Sequence, residues 1–200
     1  MKPHSTDFEI ATRAAGIIRD AGYLTVATTA PDSSPWAAQL QYAWFTDPLR
    51  FVVGSAVSAR HTCHVLSTGV AAATVSTLPG TAHGLDGLQM AGDCRALSGA
   101  ELTSVLEAFY QQMFTDPAEA RAQALPVAQL HGGGPQRLLE LRPRELWILD
   151  LDRWEHDGVS VRRIVDIQAV EESLAALLTG ESATDLPAAP ERPPSGRDPR

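Results

Sequence analysis

Lysine is almost missing: Lys2 is the only one in 200 residues, so no internal lysine is on hand for Schiff-base chemistry. Cysteine is nearly as scarce. Cys63 and Cys94 are too few for a disulfide framework, form no C-x-x-C pair and suit a reducing compartment. No run of about 18 uncharged apolar residues occurs, so no membrane span is predicted. The opening MKPHSTDFEI lacks the apolar stretch of a secretory signal, and a cytoplasmic location is expected. Sixteen Lys+Arg face 24 Asp+Glu, a formal net charge of −8. With no basic stripe, nucleic acid is excluded as a partner, because phosphate neutralisation needs clustered cations. G-x-S-x-G, Walker A and G-x-G-x-x-G motifs are all lacking. The glycine run HGGGP at 131–135 therefore has no nucleophile elbow to serve, and hydrolase chemistry is unsupported.

What is present is ordinary globular material, 44% hydrophobic, enough to bury a core. At roughly 150 residues per domain, the length fits one domain over 1–181 and a tail over 182–200. Five of the 14 prolines fall in that tail, which has almost no bulky apolar residue and is predicted to be disordered. Thr6-x-x-Glu9 reads as a capping box for a helix over 7–21 that Gly22 stops. Three strand-like runs follow at 23–29, 35–45 and 49–54, with connections short enough for an antiparallel meander. Ser58 is expected to open a helix to about residue 67, ended by Gly69. The charge-free run 70–78 reads as a fully buried strand. Another strand is expected over 84–97, where Gly87 and Gly92 mark bulges or close backbone approach.

Ser98-x-x-Glu101 reads as a second capping box. It opens an amphipathic helix carrying Leu102, Val105, Leu106, Phe109 and Met113, and Asp116-Pro117 opens a shorter one. Two strands around Pro143 are expected within 137–151, another over 161–167, and a last helix over 170–178 stopped by Gly180. Grouped strands with short helices between them indicate an α+β (mainly β) barrel or sandwich of six to eight strands, not a doubly wound parallel sheet.

The constellation richest in chemistry lies after the third strand run: Gly54, Ser55, then Ser58-Ala59-Arg60-His61. A serine at a helix start with an arginine two residues on can hold a phosphate through free N–H groups and a forked guanidinium. The same residues also fit an ordinary capping serine beside a surface arginine. His61 and His64 lie three apart on the helix, but no second cluster supplies further ligands, so no metal site is expected. Cys94, in a strand-like run, reads as a buried inert thiol. Gln39 and Gln41 flank Leu40 and share a strand face by the period of two; with Gln89 they would suit a planar heterocycle, or simply face water. The four tryptophans belong by default to core or interface, though one could stack on a ring.

Taken in order, these parts resemble the pyridoxamine 5′-phosphate oxidase-like family, the FMN-binding split β-barrel proteins. YLTVATT and SPWAAQLQYAWF open the resemblance. FVVGSAVSARHTCHVL, VAAATV and GLQMAGDCRAL continue it, over about residues 10–150. It implies a split β-barrel of mostly antiparallel strands and a homodimer with FMN at the interface. It places Gln39, Leu40, Gln41 and Gln89 near the flavin ring, and Ser55, Ser58, Arg60 and His61 around its phosphate. The reaction implied is flavin-dependent oxidation or reduction of a small-molecule substrate or electron donor, with no catalytic acid or base evident. His64 stands where many members have asparagine, the usual paired phosphate grip is reduced to Arg60, and the arginine and histidine that hold vitamin B6 substrates have no match. Vitamin B6 oxidation is therefore not expected. The deazaflavin F420, or haem bound by a non-catalytic storage protein through His61, His64 or His131, are the alternatives.

Overall fold

The computed structural model describes residues 5–77 and 86–179. Thr6 caps helix α1 (Asp7–Ala21) as its spacing predicts: Thr6 Oγ1 accepts from Glu9 N, and the Glu9 carboxylate accepts from Thr6 N. Gly22 ends the helix at φ 67°, a left-handed conformation that costs glycine nothing. The chain then enters β1 (Tyr23–Thr29), β2 (Pro35–Gln41), β3 (Ala43–Phe45) and β4 (Arg50–Ala56). Helix α2 (Arg60–Thr68) leads to β5 (Val70–Ser76) and β6 (Gly87–Ala96). Three helices follow, α3 (Gly99–Met113), α4 (Pro117–Gln123) and α5 (Val127–Leu130), before the long strand β7 (Gln136–Leu149). The described chain ends with α6 (Leu151–Asp157), β8 (Arg162–Ile164) and α7 (Ile167–Thr179).

The eight strands of the described residues form one antiparallel sheet in the order β2-β1-β5-β6-β7-β4-β3, with β8 beside β7. The run 35–45 is two strands rather than one. Between them Tyr42 is buried, donates its hydroxyl to Ile18 O at 2.6 Å and sets its ring edge-on against Phe51. Because β2 and β3 are the two ends of the strand order, one stretch of chain supplies both borders of the sheet. The sheet curls so that these borders approach, which makes a split β-barrel.

Alternation along the strands builds two cores. The inner face carries Leu24, Val26, Phe51, Val53, Val75, Met90, Leu139 and Leu141, closed by Ile10 and Ile18 of α1 and Val170 and Leu174 of α7. On the outer face, Val52 and Leu138 pack with Leu102, Val105 and Phe109 of α3, Ala120 of α4 and Leu130 of α5. Those helices cover only the β7–β4–β3 half. The β2–β1–β5–β6 half of the outer face is left bare. Where the halves meet, fully buried Glu140 lies 2.7 Å from Arg142 Nε, 3.1 Å from Arg95 Nη2 and 3.5 Å from Arg50 Nη1. The carboxylate thus sits within reach of three guanidinium groups, whose charges answer its own.

Several sequence expectations change. Strand β5 is buried on one face only, its exposed residues alternating with buried ones, because Val70, Ala72 and Thr74 lie on the bare half. Residues 136–149 form a single strand through Pro143, opposite Gly92, where the register shifts; a residue without an N–H is tolerated at such a bulge. Ser98 makes no capping hydrogen bond, and the Glu101 carboxylate is held instead by Arg95 at 2.7 and 2.8 Å. Helix α2 starts at Arg60 behind Ala59, which leaves Ser58 in the preceding turn. The strand expected over 161–167 shortens to β8, and the last helix starts earlier, at Ile167. The proline-rich tail and Gly180 lie outside the described residues.

Candidate functional site

Strand register sorts the bare half into rows. Ala37, Ala27, Ala72 and Ala91 pair in succession across β2, β1, β5 and β6, a strip of methyl groups. Beside it Gln39, Thr25, Thr74 and Gln89 pair likewise, and the row continues to Trp147. None of the eight positions on β2, β1, β5 and β6 bears a charge. An open cleft of about 980 Å³ lies over the alanine strip, bordered by Trp36, Val70, Arg144 and Glu145. Gln39 and Gln89, remote in sequence, thus share one row. Gln41 is on the same face, but its Nε2 donates to Met113 O at 3.1 Å and ties β2 to the end of α3. Leu40 points the opposite way, into the inner core, and so does not stand with the two glutamines.

The second group surrounds the start of α2. Ser58 and Arg60 are exposed. The Arg60 guanidinium lies 4.8 Å over the Trp36 ring, and among the described residues no carboxylate forms an ion pair with it. Asp32, in the β1–β2 turn, has its carboxyl held below the ordinary range by hydrogen bonds from the Ser34 side chain and backbone, and to a lesser extent by the Arg60 charge. Ser55 and His61 are buried behind this surface and occupied with each other. Ser55 Oγ is 2.7 Å from His61 Nε2, and Thr62 Oγ1 donates to Ser55 Oγ at 3.0 Å. His64 Nδ1 lies 3.1 Å from Thr28 Oγ1, fastening α2 to β1.

Burial, with the neighbouring His64, pushes the His61 pKa down. A histidine with a depressed folded-state pKa contributes stability that is present above its unfolded value and lost as pH falls below it. Unfolded histidine titrates near ~6.5. The melting temperature should therefore drop between about pH 7.5 and about pH 5.5, and His61→Gln should flatten that slope. Thermal unfolding of both proteins across this window checks it; an equal slope would remove His61 from the account.

Cys94 is the inert thiol its position suggests: burial, then Glu140, pushes its pKa up to about 12. Among the described residues no group of three His, Cys, Asp or Glu side chains is placed to hold a metal ion, and no helix is long and apolar enough to cross a membrane. Sequence reasoning missed the alanine strip and the Trp36–Arg60 pair. Alternate small residues in VATT, PWAA and VAAA were the available signal for the first; nothing in the sequence marks the second, which needs the fold to bring β2 beneath α2.

The class that this architecture defines is the split β-barrel, in which α+β proteins wrap a curled antiparallel sheet with short helices. No family model matches the chain, and no curated protein matches it. Solved structures do. A haem-binding protein from Mycobacterium smegmatis is similar over 86% of this chain and 62% of its own length, at 16% identity and a TM-score of 0.61. This chain thus spans less than two thirds of that protein. A pyridoxamine 5′-phosphate oxidase-related, FMN-binding protein from Nostoc punctiforme is similar over 83% of this chain and 98% of its own, at 15% identity and a TM-score of 0.51. HutZ, the haem storage protein of Vibrio cholerae, is similar over 66% of this chain and 89% of its own, at 15% identity and a TM-score of 0.52. The fold is the one expected from the sequence.

Proposed function

We propose that this protein is an FMN-binding homodimer and a flavin-dependent oxidoreductase, with the cofactor held where the bare half-face meets the start of α2. The observation that carries this reading is Arg60: a guanidinium with no ionic partner among the described residues, set on Trp36 at the border of a 980 Å³ cleft. Such a fork is suited to phosphate oxygens, and the Ser58 hydroxyl stands two residues away. Gln39 and Gln89 offer amide donors and acceptors to the edge of a heterocycle, while the alanine strip leaves room for a flat ring to come close. Ser55 and His61 serve by shaping the turn that presents Ser58 and Arg60. Bound FMN supplies hydride or electron transfer, and the chain supplies binding, orientation and exclusion of water.

The homodimer reading rests on the uncharged middle of the bare face, inside the border that Arg144 and Glu145 form. Eight exposed or half-exposed positions without charge, on a chain of net charge −8, suit a face covered by its own copy in a two-fold arrangement. Haem is the second reading, supported by the likeness to two haem-binding structures. Against it, His61 and His64 are buried and hydrogen-bonded within the fold, so neither stands ready as an axial ligand.

The visible spectrum of the purified protein, before and after loading with FMN and desalting, separates the readings. Retained bands near ~375 and ~450 nm support flavin; a Soret band near ~400 nm supports haem and overturns it. Loading with F420 in parallel addresses the deazaflavin. Arg60→Ala is expected to weaken FMN binding by about 1.5–3 kcal/mol, the worth of a charge-assisted hydrogen bond. Unchanged affinity in that variant would remove Arg60 from the site.

A further inference from the structure

We propose that Trp36 is a positioning residue that makes this site select a phosphorylated cofactor over its dephosphorylated form, a proposal that rests on the flavin reading above. An exposed arginine ordinarily samples many rotamers, and ordering it around a ligand costs entropy. Here the indole face already holds the Arg60 guanidinium at 4.8 Å. A cation–π contact uses the flat face of the guanidinium and leaves its edge N–H donors free for an anion.

Trp36 is itself firmly placed. Its backbone pairs with Thr28 of β1, and the Thr28 hydroxyl bonds His64 of α2, so three elements converge under the Arg60–Trp36 pair. The nearest carboxylate, Asp32, is engaged by Ser34, whose N–H donates to it at 2.9 Å, and so does not take the Arg60 donors. Trp36 is 41% exposed, and the end of β2 that carries it borders the cleft, so the cationic end of the site adjoins the space over the alanine strip. The ligand chemistry that this arrangement recognises is a phosphate monoester attached to a flat ring system.

The test compares dissociation constants for FMN and riboflavin in the wild type, Trp36→Leu, Trp36→Phe and Arg60→Ala. The half-exposed position makes folding of these variants expected, and thermal melts verify it. Trp36→Leu should weaken FMN about tenfold while changing riboflavin less than about threefold, and Trp36→Phe should restore FMN to within about threefold of wild type. An FMN-to-riboflavin preference unchanged in Trp36→Leu overturns the proposal, as does an equal loss for both ligands, which would make the ring a simple packing surface. If Arg60→Ala loses the preference and Trp36→Leu keeps it, only the role of Trp36 fails. A wild type that binds neither flavin overturns the flavin reading and this proposal together.

Discussion

Glu140→Gln is expected to destabilise the protein by about 3–5 kcal/mol, the cost of leaving buried charges without their partner. Glu140 is fully buried and answers three arginines, from β4, β6 and β7. Glutamine keeps the shape and removes the charge, so Arg50, with its side chain 18% exposed, keeps no ion-pair partner among the described residues. Arg95 and Arg142 retain Glu101, but that carboxylate is exposed to solvent and screened. The comparison variant Glu101→Gln should therefore change stability far less than Glu140→Gln. Urea unfolding of both proteins reads the difference. Equal, small losses would mean that the arginines find water once Glu140 is neutral, and that the strands are not held by this cluster.

Gly92→Ala should be about as damaging, ~3 kcal/mol or more. A Cβ at this position would lie 1.9 Å from Arg142 O and 2.8 Å from Pro143 Cα, all backbone atoms of the neighbouring strand. No side-chain rotation relieves a clash with backbone, so β6 and β7 must separate at the bulge or slip. Slipping by one residue would turn every side chain of a strand to its other face, moving Met90 and Cys94 out of the inner core. The expected result is poor soluble yield or a much lower urea midpoint. A normal midpoint would show that the bulge absorbs a methyl group, and would remove close approach as the reason for glycine there.

How far the sequence revealed this molecule depends on where each signal is local. Helix α1 is legible because its capping box, its apolar spacing and Gly22 all lie within one stretch. Strand β1 is legible because its β-branched residues lie between Gly22 and a turn of Pro31 and Asp32. The break at Tyr42 leaves no trace in sequence, since no glycine or proline marks it; it comes from a tyrosine drawn into the core by Ile18 and Phe51. The Ser98 capping box does not form, and the Glu101 carboxylate pairs with Arg95, a partner outside those four residues. Strand β5 reads as doubly buried because alanines occupy both of its faces, which removes the contrast that alternation needs.

The candidate site divides along the same line. Ser58 and Arg60 are neighbours in sequence and were found as a pair. Gln39 and Gln89 are grouped in sequence only by being amides within apolar strands, and strand order shows that Thr25 and Thr74 link them in one row. Ser55 and His61 carry polar groups that look available in sequence, yet the fold turns them toward each other. The Trp36–Arg60 contact depends on how α2 lies across β1 and β2, which no local pattern encodes.

An open sheet usually offers two unpaired edges, each a template for a foreign strand. In this barrel both ends of the main strand order belong to residues 35–45, on either side of Tyr42, and the remaining edge is the three-residue β8 on β7. One begins at Pro35, which has no N–H to offer an incoming chain, and the other is only the short run Ala43–Phe45. Resistance to strand-by-strand polymerisation is therefore concentrated in one segment, held at its middle by Tyr42, whose hydroxyl donates to Ile18 O and whose N–H donates to Gly22 O.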